Sequence, residues 1–435
     1  MKISSLFVTL ATLLATALLS ACSEDGSDYT PTSTTIYSIL YDSVYDRYGN
    51  HIVYSDYRMT VDATSGTNDT ILVYNPDSLP YQSDVSKVRL TISTSANAYL
   101  EVGHDQYRII STTDTFDCRK PLVIRSVGND AEGNILQKVY KLEFRIHQVD
   151  MDSVAWQEIT GVPGFEGRLK TAFFGGRIYV FSETGTIHSA PVAQPDAWRE
   201  ENTVEGFDYA SPTVFAGRIY LTAQGKVYSS TDGSTWEEAH ALNQDGTVET
   251  LLGATSQYMA GIKDGYYCST QGSGWRKGTK VSTFERTGVN ACVYPLTTNP
   301  HIQQIAILGR NTTDTEGRHN LLVAEEELLN WGEWGPVDSL SYLLPFQEGN
   351  VMIRYKDNQF YCFGGYGETA FENYYTSGGL YWEKHKNYTF FPETFQGRKE
   401  FAAAVDQENY IWIVFSNCTS QPATLFRGRL NSYNF

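Results

Sequence analysis

Ser229-Ser230-Thr231-Asp232-Gly233-Ser234-Thr235-Trp236 sets a tight polar turn directly ahead of a tryptophan. Residues of this kind make turns for a physical reason: a carboxylate or hydroxyl accepts nearby backbone N–H groups, and Gly tolerates positive φ. The tryptophan then keeps returning. Trp156, Trp198, Trp236, Trp275, Trp331 and Trp382 are separated by 42, 38, 39, 56 and 51 residues. A repeat of that length is one small supersecondary unit that cannot bury its own apolar face, so neighbours must cover it. The spacing predicts a ring of blades.

A second repeat agrees with the first. Gly176-Arg177-Ile178-Tyr179-Val180 recurs 41 residues later as Gly217-Arg218-Ile219-Tyr220-Leu221. Looser counterparts are Gln304-Ile305-Ala306-Ile307-Leu308, Gln359-Phe360-Tyr361-Cys362-Phe363 and Tyr410-Ile411-Trp412-Ile413-Val414. Six units start near residues 165, 205, 245, 285, 340 and 396. The last, ending in Leu425-Phe426-Arg427-Gly428-Arg429-Leu430, has no tryptophan behind it, whereas Trp156 precedes the first unit. The expectation is a six-bladed β-propeller over residues 151–435, its ring closed by Val154-Ala155-Trp156-Gln157-Glu158. Splitting the long 285–340 unit gives a seven-bladed alternative.

Residues 36–150 lack the tryptophan repeat and read as short strands and turns. Tyr140, Leu142, Phe144 and Ile146 alternate with Lys141, Glu143 and Arg145, a period of two. Thr70-Ile71-Leu72-Val73 and Leu122-Val123-Ile124 read as further strands, Asn75-Pro76-Asp77-Ser78 and Gly128-Asn129-Asp130 as turns. A β-sandwich of immunoglobulin-like kind suits this stretch, without the internal Cys-Trp-Cys marker. The 435 residues, with 30 Tyr, 21 Phe, 36 Gly and no long amphipathic helical pattern, place the whole chain in the all-β class.

Met1-Lys2, an apolar run from Leu6 to Leu19 and Leu19-Ser20-Ala21-Cys22 together look like a bacterial lipoprotein signal. That resemblance implies a signal peptide over 1–21 and lipid on Cys22, several acyl chains anchoring where one does not. Residues 22–35 are then the lipidated Cys and a flexible acidic linker. Ser23-Glu24-Asp25-Gly26-Ser27-Asp28 within it resembles the acidic tract of outward-facing lipoproteins in Bacteroides-type bacteria. The implied location is the outer membrane, facing outward.

The formal charge of −17 repels phosphate backbones, so nucleic acid is not expected as a partner. Cys118, Cys268, Cys292, Cys362 and Cys418 form no CxxC pair, and their odd count points to buried thiols over a disulfide framework. The eight His residues are scattered, with no metal-binding spacing, no nucleophile elbow and no phosphate loop beside them, so no metal or cofactor is implied. Glu325-Glu326-Glu327 reads as a solvated loop ahead of Trp331.

The turn built on Ser230, Asp232, Gly233 and Trp236 resembles the Asp-box of sialidase-type propellers, with degenerate copies at Ser269–Trp275 and Thr376–Trp382. In those copies Gln271 and Gly378 or Gly379 stand where Asp would, which a turn tolerates and a catalytic carboxylate does not. Sialidases also require an arginine cluster. Phe144-Arg145-Ile146-His147, the nearest imitation, lacks the Pro and precedes the propeller. The turn is therefore read as structural, and no catalytic residue is assigned. Trp334, in the Gly-flanked Trp331-Gly332-Glu333-Trp334-Gly335, is off the repeat register and is the candidate ligand-binding aromatic.

Asp77-Ser78-Leu79-Pro80-Tyr81, the junction His147–Trp156 and Arg427-Gly428-Arg429-Leu430-Asn431 complete a layout that resembles an uncharacterised family of Bacteroides-type surface lipoproteins. That family joins a β-sandwich to a Kelch-like or Asp-box propeller, and carries no established activity. The expected function is a surface-anchored, non-enzymatic module that binds a glycan or partner protein through the propeller. The alternative is a carbohydrate-active enzyme, a glycoside hydrolase or lyase, working at the propeller mouth. A structural component of a surface complex is a third reading.

Overall fold

The structure, a computed structural model, describes residues 34–63, 70–94, 99–111, 113–130, 132–244, 246–281, 284–296, 298–312, 319–333, 350–356, 359–365, 371–376, 382–384, 390–419 and 421–433. The signal segment, Cys22, most of the linker and Trp334 lie outside the described residues. Apart from short 3-10 turns, the regular elements described are all strands. They form two compact units, divided between Met151 and Asp152.

The first unit is a two-sheet sandwich. One sheet orders Thr60–Asp62, Thr70–Tyr74, Ile135–Glu143, Leu122–Asn129, Tyr99–Gly103 and Arg108–Ile109; the other orders Ile36–Asp42, Val88–Thr94 and Thr115–Phe116. Pairing is antiparallel except where Thr70–Tyr74 runs parallel to Ile135–Glu143. Inward residues of both sheets share one core, with Ile39, Leu90 and Phe116 facing Val73, Ile124, Tyr140 and Leu142. The Ile36 N–H donates to the Tyr140 hydroxyl at 2.9 Å, tying one sheet to the other. Fully buried Asn75 satisfies its amide on the Asp77 and Arg145 carbonyls and accepts the Arg145 N–H, which fixes the turn after Tyr74.

The second unit is a β-propeller, with six blades among the described residues. Blade 1 comprises Leu169–Phe174, Arg177–Ser182, Ile187–Pro191 and Arg199–Glu201; blade 2 comprises Thr213–Phe215, Arg218–Ala223, Lys226–Ser230 and Glu237–Glu238. Blade 3 comprises Val248–Ala254, Met259–Lys263, Tyr266–Thr270 and Arg276–Lys280; blade 4 comprises Phe284–Pro295, Gln303–Asn311, His319–Ala324 and Trp331–Glu333. Blade 5 comprises Val351–Tyr355, Gln359–Gly365, Phe371–Thr376 and Glu383–Lys384. Blade 6 takes Phe401–Val405, Ile411–Phe415 and Thr424–Leu430 from the end of the chain and Val154–Ile159 from the start of the unit. Val154 pairs with Leu430 and Ile159 with Leu425, antiparallel.

First strands of neighbouring blades pack side by side around the axis, the sixth returning to the first. The apolar side chains divide accordingly into clusters that each sit between two blades. In the strand Arg177–Ser182, Ile178 and Val180 pack on blade 6, while Tyr179 and Phe181 pack on blade 2. Both faces of such a strand are buried, which is why its sequence is a continuous apolar run and not an alternation.

Candidate functional site

The inner strands enclose an axial cavity of about 350 Å³, to which all six blades contribute. Lys170, Thr171 and Phe173 come from blade 1, Thr213 and Val214 from blade 2, and Leu252, Gly253 and Ala254 from blade 3. Asn290 to Val293, Met352 with Ile353, and Ala404 with Val405 complete the wall from blades 4, 5 and 6. The lining mixes apolar side chains with hydroxyls, one amide and one cation; no carboxylate or imidazole stands among these lining residues.

Blade 4 contributes the one amide of this lining, Asn290. Its inner strand slips register between Arg286, opposite Gly309, and Ala291, opposite Ile307. The extra residues form a wide bulge, a device that re-aims side chains. From the bulge, Asn290 donates to the Ala403 carbonyl of blade 6 at 2.7 Å and to Met352 of blade 5 at 3.3 Å. Arg286 reaches the other way, to the Leu251 carbonyl of blade 3 at 3.3 Å and to Ala210, in the linker entering blade 2, at 3.2 Å. It also caps the Gly288 and Val289 carbonyls of its own bulge. One short segment thus braces five of the six blades.

The Ala210 carbonyl accepts a second cation. Lys170 donates its ammonium to that oxygen at 2.7 Å. Lys170 is 6% exposed. Burial holds its ammonium well below the usual lysine range, with the Arg286 charge a further cause in the same direction. Burial likewise lowers the Arg286 guanidinium, which the Asp208 charge opposes. Asp208 spends its carboxylate locally, accepting the Ala210 N–H at 2.9 Å and the Thr250 hydroxyl at 2.7 Å.

The turn residues singled out in sequence lie elsewhere, between the third and outer strands of blade 2. Asp232 accepts the Ser234 and Thr235 N–H groups at 2.8 and 2.7 Å, the Ser230 hydroxyl at 2.9 Å and the Thr235 hydroxyl at 3.0 Å. Those bonds, the backbone ones first, hold its carboxyl far below the usual range. Gly233 turns at φ 74°, and Trp236 donates to the Asn202 carbonyl of the linker leaving blade 1 at 3.0 Å. Four hydrogen bonds within its own turn give this carboxylate a structural task. In the Ser269–Trp275 turn, Thr270 takes over by accepting the Gly272 N–H at 2.9 Å. Of the third copy, residues 377–381 fall outside the described residues.

A smaller cavity of about 220 Å³ lies between the first hairpins of blades 1 and 6, lined by Phe174, Arg177, Asp406 and Glu408 among others. Asp406 there is bound into its own hairpin by the Glu408 and Tyr410 N–H groups, both at 2.9 Å, and by the Trp412 indole at 2.8 Å. Among the described residues no three His, Cys, Asp or Glu side chains gather into a metal-binding group. Cys118, Cys268, Cys292 and Cys362 are buried, Cys418 is exposed, and none is in a disulfide.

Two family descriptions match this chain. Residues 150–435 match the DUF6242 beta propeller domain, and residues 29–144 the DUF6242 N-terminal domain, a domain of unknown function. The chain belongs to the DUF6242 family. No curated protein matches this DUF6242 chain in sequence. Solved structures similar to it include virginiamycin B lyase from Staphylococcus aureus, at 10% identity and a TM-score of 0.38 over 64% of this chain and 99% of that one. SapL1 lectin in complex with alpha methyl fucoside follows at 13% identity and 0.41, over 62% and 95%. An Aleuria aurantia lectin mutant bound to Fucalpha1-6GlcNAc gives 12% identity and 0.35, over 62% and 98%. At such identities the likeness concerns the fold alone.

The buried pair Lys170 and Arg286 escaped the sequence reading. Lys170 sits in Leu169-Lys170-Thr171, an ordinary polar position of a strand, and Arg286 lies in no motif. One signal was present. Shifted by the 41-residue repeat, Lys170 falls on Ser211, so blade 1 carries a cation where blade 2 has a hydroxyl.

Proposed function

We propose that this chain is a lipoprotein of the outer membrane, anchored through Cys22 and facing outward, whose propeller binds a glycan or a partner protein without catalysis. The axial cavity is the ligand site. The observation that carries this reading is the lining itself: six strands converge on one pocket that mixes apolar side chains with hydroxyls, an amide and Lys170, the polar groups being of the kind that orient a bound small molecule. Glycoside hydrolysis uses two carboxylates about 5–10 Å apart, and the lining residues offer none. That supports binding over the hydrolase alternative.

The test is a glycan array probed with the purified chain, run beside a polysaccharide-cleavage assay. Specific retention without release of sugars is the expected result. Cleavage would move the chain to the enzymes, and retention of nothing would end the glycan reading. Anchoring is tested separately, since Cys22→Ala is expected to shift the chain from the membrane fraction to the soluble one.

A further inference from the structure

We propose that the axial cavity takes an acidic ligand, seating a carboxylate or sulfate against Lys170 with Arg286 directly behind it. The proposal rests on the reading of the cavity as a glycan site and narrows it to acidic sugars.

Two cations meet at one carbonyl oxygen, Lys170 at 2.7 Å and Arg286 at 3.2 Å. Among the described residues neither has a carboxylate within ion-pair distance, and Arg286 bonds only carbonyls. The Lys170 ammonium has three N–H donors and places one of them on protein. Its strand neighbour Thr171, also buried and also lining the cavity, has a hydroxyl with no hydrogen-bond partner. Buried polar groups are ordinarily satisfied, so an open hydroxyl beside a cavity calls for an explanation. Asp208, the acid that bears on both cations, is committed to Ala210 and Thr250. One acid stands against two bases beside the cavity, in a chain of formal charge −17.

Like charges held out of water repel strongly, because the interior screens them little. An incoming anion relieves that repulsion and accepts the unused lysine donors at the same time, as charge-assisted hydrogen bonds. A neutral sugar offers its hydroxyl oxygens to those donors but leaves the repulsion in place. The cavity, at about 350 Å³, lies at the small end of ligand sites, which run from ~300 to 1,000 Å³. It suits a terminal acidic residue better than a long chain segment. Because the ammonium is held low when the site is empty, anion binding is coupled to proton uptake and strengthens as pH falls below the ordinary lysine range.

The experiment is calorimetric titration of the full chain with glucuronate, galacturonate, N-acetylglucosamine 6-sulfate and inorganic sulfate, against glucose and N-acetylglucosamine. Acidic sugars are expected to bind at least tenfold more tightly than neutral ones, with affinity falling at high salt. Lys170→Met is expected to lose tenfold or more of that affinity while melting no lower than the native chain, and Lys170→Arg to retain part of it. Which acidic sugars bind separates carboxylate from sulfate. Equal binding of acidic and neutral sugars, unchanged in Lys170→Met, overturns the anion site and leaves the glycan reading standing. Inorganic sulfate binding as tightly as any sugar keeps the anion site and removes the glycan. No binding by any probe overturns both.

Discussion

Gly233 holds φ at 74°, and a Cβ there would lie 2.4 Å from the Tyr179 ring of blade 1. Tyr179 in turn donates its hydroxyl to the Asp232 carbonyl at 2.8 Å, so the blade 2 turn is moulded onto its neighbour. Gly233→Ala combines backbone strain with overpacking and is expected to destabilise the propeller by about 2–4 kcal/mol, read from urea unfolding. Lys170 works in the opposite sense. Its lowered pKa means that the unfolded chain binds the proton more tightly, so stability rises with pH between the folded value and the ordinary lysine value of 10.5. Lys170→Met is therefore expected to stabilise the unliganded chain by about 1–4 kcal/mol near neutral pH. The gain should shrink as pH approaches 10.5, which denaturation midpoints across a pH series would reveal. At this scale the sequence was half legible. A turn announces itself through local chemistry, whereas Lys170 and Arg286 become a pair only because strands of blades 1 and 4 converge on Ala210, which no local pattern encodes.

The tryptophans act as latches between elements. Trp198, Trp236, Trp275, Trp331, Trp382 and Trp156 sit toward the outer strands of blades 1 to 6 in that order, and each packs on the cluster shared with the preceding blade. In three of them the indole N–H reaches a carbonyl of the linker leaving the preceding blade: Trp236 to Asn202, Trp275 to Leu242 and Trp156 to Phe390 at 2.6 Å. Trp331 instead stacks on Tyr267 of blade 3 at 5.1 Å and bonds Leu328 nearby. Replacing Trp236 or Trp275 by Phe keeps an aromatic ring but removes that bond and some buried area. The expected cost is about 1–2 kcal/mol each, measured by thermal unfolding, with little effect from a solvent-facing control. Repeats of this kind were readable because each blade needs one latch. The long 285–340 unit leaves a seven-bladed count open in the sequence; its described strands all belong to blade 4, whose inner strand Phe284–Pro295 carries the bulge. Bulges arise from tertiary packing and leave no periodic trace.

At the scale of the molecule, the ring and its closure follow from one requirement, that every blade be covered on both sides. Trp156, left over before the first unit, belongs to the outer strand of the sixth blade, where Trp156 pairs with Gly428 and a Cβ on that glycine would meet the indole at 2.4 Å. Deleting Val154–Ile159, or ending the chain before Thr424, is expected to abolish the cooperative unfolding transition of the propeller and leave it open to protease, as calorimetry and limited proteolysis would show. Deleting an equal length of exposed linker should not.

Closure by the earliest strand also imposes an order in time. A ribosome releases Val154–Ile159 before any blade exists, and the partner strand Thr424–Leu430 only after the strands of the other five blades. During synthesis the first strand must wait, unpaired, while five blades assemble behind it, and only a finished copy can hide its edge. An interrupted copy keeps two strand edges exposed, the kind of surface that attracts other strands. The ring is thus finished only when Thr424–Leu430 arrives, and a copy that stops short of it shows the fault at an open strand edge.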